Sequence, residues 1–185
     1  MSNFVHLHVH TAYSLLDGAI RLQDLFDTAS AMEMPAVAIT DHGVMFGVLD
    51  FYTKAKKAGI KPILGCEVYV APGSRWDRSS KKAEAQHLVL LAADLEGYQN
   101  LIRLVSKAHL EGFYYKPRVD KEILVEFNRG LIALSACLQG VVAPQILADD
   151  LKGAEAAARE YAELFPGRFY LEVQANDLPE QQKVN

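Results

Sequence analysis

The chain has 185 residues, half of them apolar, with 23 acidic against 19 basic side chains and a formal charge of −4 at pH 7. That length supports one domain with a core of its own, and a pI near 5.9 with a mean hydropathy of +0.02 argues against a free-standing nucleic-acid binder, which would present a basic face. No apolar run approaches the roughly 20 residues that span a bilayer, Met1-Ser2-Asn3 opens no secretory signal, and the two cysteines, Cys66 and Cys137, have no CxxC spacing, so a cytoplasmic chain with no membrane partner is expected.

Val5-His6-Leu7-His8-Val9-His10 alternates apolar side chains with imidazoles and predicts a first strand over residues 5–10. Residues two apart share a face, so His6, His8 and His10 are expected on one side and Val5, Leu7 and Val9 on the other, against outer helices. Helical spacing follows at Leu22, Leu25, Phe26 and Ala29, then a strand over 36–40, a helix through Val48, Phe51, Tyr52 and Ala55 that Gly59 closes, and a strand over 63–70. Residues 72–84 read as a surface loop carrying Arg75, Trp76, Arg78, Lys81 and Lys82. Beyond it the pattern predicts a strand over 87–92, helices over 98–109 and 122–127, a strand over 131–135, a helix over 154–164 stopped by Pro166-Gly167, and a strand over 169–174. Residues 177–183 read as a capped helix start with Pro179 in the first turn. This alternation indicates βαβ units and a parallel sheet, an α/β fold. A chain that ends a few residues into a helix is expected to be part of a longer one.

Three imidazoles on one face at the C-terminal end of a strand point to metal binding, because neutral imidazole is the commonest protein ligand of zinc-like ions. A half-exposed polar strand is the alternative. Ile39-Thr40-Asp41-His42-Gly43 also ends a strand, and His42 is expected where the first-strand histidines emerge. Asp41 suits either a carboxylate that orients a ligand or a helix cap or turn. Glu67 lies inside the apolar run Cys66 to Val70, where an unpaired carboxylate is costly to bury, and a metal ion would be a suitable partner. Cys66 is expected to face the other way, as core packing. His87 opens one apolar strand and Cys137 follows another; taken singly, each suits a core position better than a ligand. Arg75 and Arg78, with Trp76 between them, suit contacts to a DNA strand by phosphate binding and stacking, and a solvated loop is the alternative.

These motifs resemble the PHP (polymerase and histidinol phosphatase) family, in the branch found at the start of bacterial DNA polymerase III alpha subunits. His8-Val9-His10, Asp17 in Ser14-Leu15-Leu16-Asp17-Gly18, Thr40-Asp41-His42-Gly43, Glu67, His87 and Cys137 are similar to the family's successive ligand motifs. The polymerase branch is suggested by residues 10–19, 59–65, 97–101 and 178–181. The resemblance implies a distorted (β/α) barrel whose metal ligands are His8, His10, Asp17, His42, Glu67, His87 and Cys137. His6 stands where most members carry aspartate and, like Asp41, is read as a residue supporting the ligands. The family's last motif, an aspartate and a histidine two apart, has no counterpart before Asn185, so the barrel is expected to be C-terminally incomplete over residues 1–185.

A mixed His, carboxylate and Cys set implies up to three divalent metals, zinc first and manganese or iron next. The resemblance further implies phosphoester hydrolysis by metal-bound water without a protein nucleophile. In an intact replicative DNA polymerase this would be 3'–5' exonuclease activity on the DNA primer terminus. Alternatives are a module that stabilises the polymerase and docks a separate proofreading exonuclease or other replisome subunits, and a stand-alone phosphoesterase. Nucleotidyl transfer is expected from the remainder of the polymerase chain.

Overall fold

The structure, a computed structural model, describes residues 4–15, 17–79 and 85–185. Of the sequence expectations, those on Met1 to Asn3, Leu16 and the loop residues Ser80 to Glu84 lie outside it, Lys81 and Lys82 among them.

Among the described residues six strands form one sheet in the order β1-β2-β3-β5-β6, with β4 pairing on β2. They are β1 (Ala36–Ile39), β2 (Lys61–Val70), β3 (Gln86–Ala92), β4 (Arg118–Val119), β5 (Leu131–Leu134) and β6 (Phe169–Tyr170). β1 runs parallel to β2, β4 to β2 and β6 to β5, whereas β3 is antiparallel to both β2 and β5. The expectation of a parallel sheet is thereby corrected to a mixed one. No crossover helix is seen among the described residues between β2 and β3, and a parallel return would need one.

The helices are α1 (Leu22–Ala31), α2 (Val48–Ala58), α3 (Leu95–Leu110), α4 (Lys121–Phe127), α5 (Ala143–Leu147), α6 (Leu151–Leu164) and α7 (Pro179–Val184). Asp94, Asp120 and Asp150 cap α3, α4 and α6 through their carboxylates, which satisfies first-turn N–H groups. None is long and apolar enough to cross a membrane.

The strands' two-residue period divides the interior. Cys66, Val68 and Val70 of β2 and Leu88 and Leu90 of β3 pack with Leu101 and Leu104 of α3 and Phe165. Val9, Phe26, Val37, Ile39 and Phe51 form a second core under α1 and α2. The opposite sheet face carries a small cluster of Ala38, Val89, Leu91, Leu134 and Ala136. Glu67 and Tyr69 face that same side, since Glu67 pairs with Val89 and Tyr69 with His87 across the β2–β3 ladder.

The expected strand over 5–10 is not a regular one. His6 O accepts from Ala38 N and Val9 O from Thr40 N, both at 2.9 Å, so the segment lies beside β1. Val9 N, however, donates to Thr40 Oγ1 at 2.7 Å instead of a carbonyl, and the chain bends at His8. Similarly, the expected strand over 169–174 closes at Tyr170, and Glu172 N donates to Ser135 Oγ at 2.8 Å.

Candidate metal centre

The site collects at one rim of the sheet. Beyond β1, residues 40–43 stay alongside β2: Glu67 N donates to Asp41 O and Gly43 N to Glu67 O, which brings His42 level with Glu67. His8 and His10 arrive from the segment on the other side of β1. His87 starts β3, and Cys137 follows β5 after Ala136, whose φ of 62° turns the chain sharply toward His87.

Glu67, completely buried, is shared by two groups. Oε2 lies 2.5 Å from His8 Nε2 and 3.0 Å from His10 Nε2. Oε1 faces His42 Nδ1 at 3.7 Å and abuts His87 Nδ1. The two triads His8–His10–Glu67 and His42–Glu67–His87 each hold three ligand atoms close enough to grip one ion. Around them, Asp17 Oδ2 is 3.0 Å from His42 Nε2, and Cys137 Sγ is 3.6 Å from His87 Nδ1. The rings of His10 and His42 stack at 3.9 Å. All seven side chains carried over as ligands thus converge on one rim, with Glu67 facing the four imidazoles.

The donor set fits divalent ions on its own chemistry. His42 Nδ1, Glu67 Oε1, His87 Nε2 and Glu172 Oε2 are buried with no hydrogen bond among the described residues; His87 Nδ1 abuts Oε1 without hydrogen-bond geometry. Buried acceptors and ring nitrogens without partners are costly, and cations between them would satisfy several together. Burial alone would raise the Glu67 carboxyl, but the facing imidazoles of His10, His8 and His87 hold it well below the usual carboxylate range. Burial disfavours a charged His8, yet bonds to Glu172 and Glu67 push it up to about 9. Burial lowers His42 despite the neighbouring Glu67, which keeps its ring in the neutral form a metal requires. Burial also pushes the Cys137 thiol up, so ligation there must release a proton.

Asp41, 1% exposed, accepts from Thr11 N, Thr11 Oγ1 and Ser14 Oγ at 2.6, 2.8 and 2.8 Å. It neither touches an imidazole nor caps α2. Ser14 Oγ in turn stands 3.5 Å from His10 Nδ1 and accepts from His42 N at 3.2 Å, so Asp41 organises the rim through Ser14. Cys66 packs in the core as expected, its Sγ on Asp41 O at 3.3 Å.

Three expectations need correction. His6 is exposed and its ring meets Phe4 edge-on at 4.8 Å, outside the cluster, because the bend at His8 breaks the two-residue period. Leu7 is likewise exposed and lies outside the core under α1 and α2, where Val9 alone of the three apolar residues packs. Arg75 does not reach out to DNA: it is 5% exposed and is held by Glu111 at 2.8 Å and Asp120 at 3.0 Å. Arg78 is exposed. Sequence reasoning missed Glu172, whose Oε1 lies 2.7 Å from His8 Nδ1. An acid between Leu171 and Val173 was the available signal, the same one that singled out Glu67.

The PHP domain profile matches residues 6–176. Curated relatives include DNA polymerase III subunit alpha of Thermus aquaticus, 54% identical over 98% of this chain and 15% of that protein, and its namesake in Treponema pallidum, 50% identical over 98% of this chain and 16% of that protein. The chain therefore spans about one sixth of the length of these relatives. Among solved structures, a protein of Bifidobacterium adolescentis described as a candidate metal-dependent phosphoesterase superposes with a TM-score of 0.59 at 14% identity, over 99% of this chain and 82% of that one. That likeness supports the distorted barrel fold, which is not closed here. The chain belongs to the PHP domain family.

Proposed function

We propose that this chain is the PHP portion of a bacterial replicative DNA polymerase, and that in the intact protein its rim hydrolyses phosphodiester bonds as a metal-dependent 3'–5' exonuclease. The observation that carries this reading is the Glu67 carboxylate, with one oxygen toward His8 and His10 and the other toward His42 and His87. His8, His10 and Glu67 would hold one divalent cation and His42, Glu67 and His87 another, with Asp17 and Cys137 as further ligands. The mixed imidazole, carboxylate and thiol set favours zinc, then manganese or iron. Divalent ions held there would supply Lewis-acid polarisation of a phosphoryl group and acidification of water.

The chain's own residues do the rest. Glu172 fixes the His8 ring by accepting at Nδ1, which directs Nε2 into the site. Asp41 and Ser14 lock the His10 and His42 segments together. Buried Glu67 would balance the charge of cations held there.

The remainder of the polymerase, the DNA primer end, a separate proofreading subunit and a cytoplasmic setting complete the proposal. Support comes from the polymerase relatives and the phosphoesterase-like fold. The test is nucleotide release from a mismatched primer by the intact protein and its His8→Ala and Glu67→Ala variants. Loss of release in both variants is expected; equal rates in all three would overturn it. If a chelator lowers the melting temperature while release persists, the domain serves as a docking module instead.

A further inference from the structure

Beside the ligand cluster stands a group of side chains that metal binding does not use. Tyr69 shares its sheet face with Glu67, and its ring lies 5.1 Å from that of His87 and 6.0 Å, nearly parallel, from that of His42. Lys116 Nζ sits 4.3 Å from the Tyr69 ring centre. Lys116 is exposed, and no carboxylate pairs with it among the described residues. It belongs to a tight turn in which Tyr114 N donates to Lys116 O at 3.1 Å. At the tip Tyr115 has φ of 59° and is 77% exposed, a left-handed conformation that an aromatic residue rarely adopts. Phe113, also half-exposed, precedes it.

This turn packs against the metal rim on one side and is braced by Arg118 on the other. Gly43, next to His42, accepts from His109 Nε2 at 2.9 Å. A Cβ at Gly43 would come within 2.8 Å of Pro117 Cγ and 3.0 Å of Tyr69 Cε2, so the two turns are in close contact. On the far side the buried guanidinium of Arg118 donates to Gly112 O at 3.1 Å and lies 5.2 Å from the Tyr114 ring. The exposed aromatic tip is therefore carried on a rigid base.

We propose that Lys116 and Tyr115, with Tyr69 beneath, form the seat for the end of a single-stranded polynucleotide beside the metal cluster. Lys116 takes a backbone phosphate flanking the one at the metals, and Tyr115 stacks on a base. An ammonium free of carboxylates suits a phosphate, and the Tyr115 ring, set edge-on to Tyr114 at 4.6 Å and largely open to solvent, suits a nucleobase of any sequence. Arg75 itself cannot serve, because its guanidinium is already satisfied. This inference rests on the hydrolytic reading above for its orientation, and its test is separable from that reading.

The intact protein, with metals chelated to prevent cleavage, is irradiated with a single-stranded oligonucleotide carrying 5-iodouracil at its 3' end, and the adduct is mapped. Adducts on residues 113–117 are expected; adducts confined to other segments would overturn the seat. With metals restored, the Tyr115→Ser/Lys116→Ala variant should raise the oligonucleotide KM by about tenfold or more, with a far smaller change in kcat. The small diester bis-p-nitrophenyl phosphate, too short to reach the turn, should respond much less than the oligonucleotide. An unchanged oligonucleotide KM would overturn the proposal. If the wild-type protein cleaves nothing yet forms the adduct at the turn, the hydrolytic reading fails and the seat stands.

Discussion

Glu172 Oε1 lies 2.7 Å from His8 Nδ1, across 164 residues of sequence. The contact joins the segment after the last strand to the segment beside the first, and it places a carboxylate behind the imidazole of His8, a proposed metal ligand. Carboxylates in that position set the tautomer and raise ligand basicity, and their loss weakens metal binding by about 10–100-fold. Glu172→Ala is therefore expected to weaken metal retention by that factor in a chelator competition while leaving the far-UV spectrum unchanged. Unaltered affinity would show that Glu172 only braces the fold.

Glu67 serves both triads, so Glu67→Ala should empty both positions together, read as metal per protein by elemental analysis. Cys66 is the matched control. It is the preceding residue but faces the opposite core, so Cys66→Ala should lower stability by roughly 1 kcal/mol and keep full metal content. Retention of half the metal in the Glu67 variant would mean that the carboxylate belongs to one position only.

His8 also predicts a pH dependence in metal-free protein. Its folded value of about 9 exceeds the 6.5 of an unperturbed imidazole. The stabilisation from the charged ring between Glu172 and Glu67 is thus complete below pH 6.5 and is lost as pH rises through about 9. The melting temperature of the chelated protein should fall over that interval, and His8→Gln should flatten the fall. A profile unchanged by the substitution would contradict this assignment.

Arg75 is predicted to affect stability and not catalysis. Arg75→Ala strands Asp120, which is 2% exposed and would lose its cation, a change of about 3 kcal/mol for a buried pair. Denaturant unfolding should register this shift, whereas the KM for an oligonucleotide should stay within about twofold, well under the change expected from a lost stacking or phosphate contact. A raised KM with unchanged stability would restore the loop to a DNA-binding role.

Much of this architecture was legible in the residues. Alternation around Glu67 identified both its strand and its oddity, since an acid among Cys66, Val68 and Val70 needs a cation. Helical periods located α1, α2, α3, α4 and α6, with ends moved by a few residues because caps such as Asp94 and Asp150 extend the first turn. Strand direction was not legible, because the period that marks a strand is the same in parallel and antiparallel ladders. The same period misplaced His6, where one bend at His8 overrides it. Arg75 was misread since sequence shows charge but not the acids from Glu111 and Asp120 that fold onto it. Glu172 was overlooked because its partner lies at the other end of the chain.

One buried carboxylate, Glu67, is predicted to stand between two cations. Anomalous diffraction at the zinc edge from zinc-loaded crystals of the intact protein tests it directly. Two peaks are predicted, one bounded by His8, His10 and Glu67 and the other by His42, Glu67 and His87. Density only at sites remote from Glu67, or none with zinc bound in solution, would contradict it.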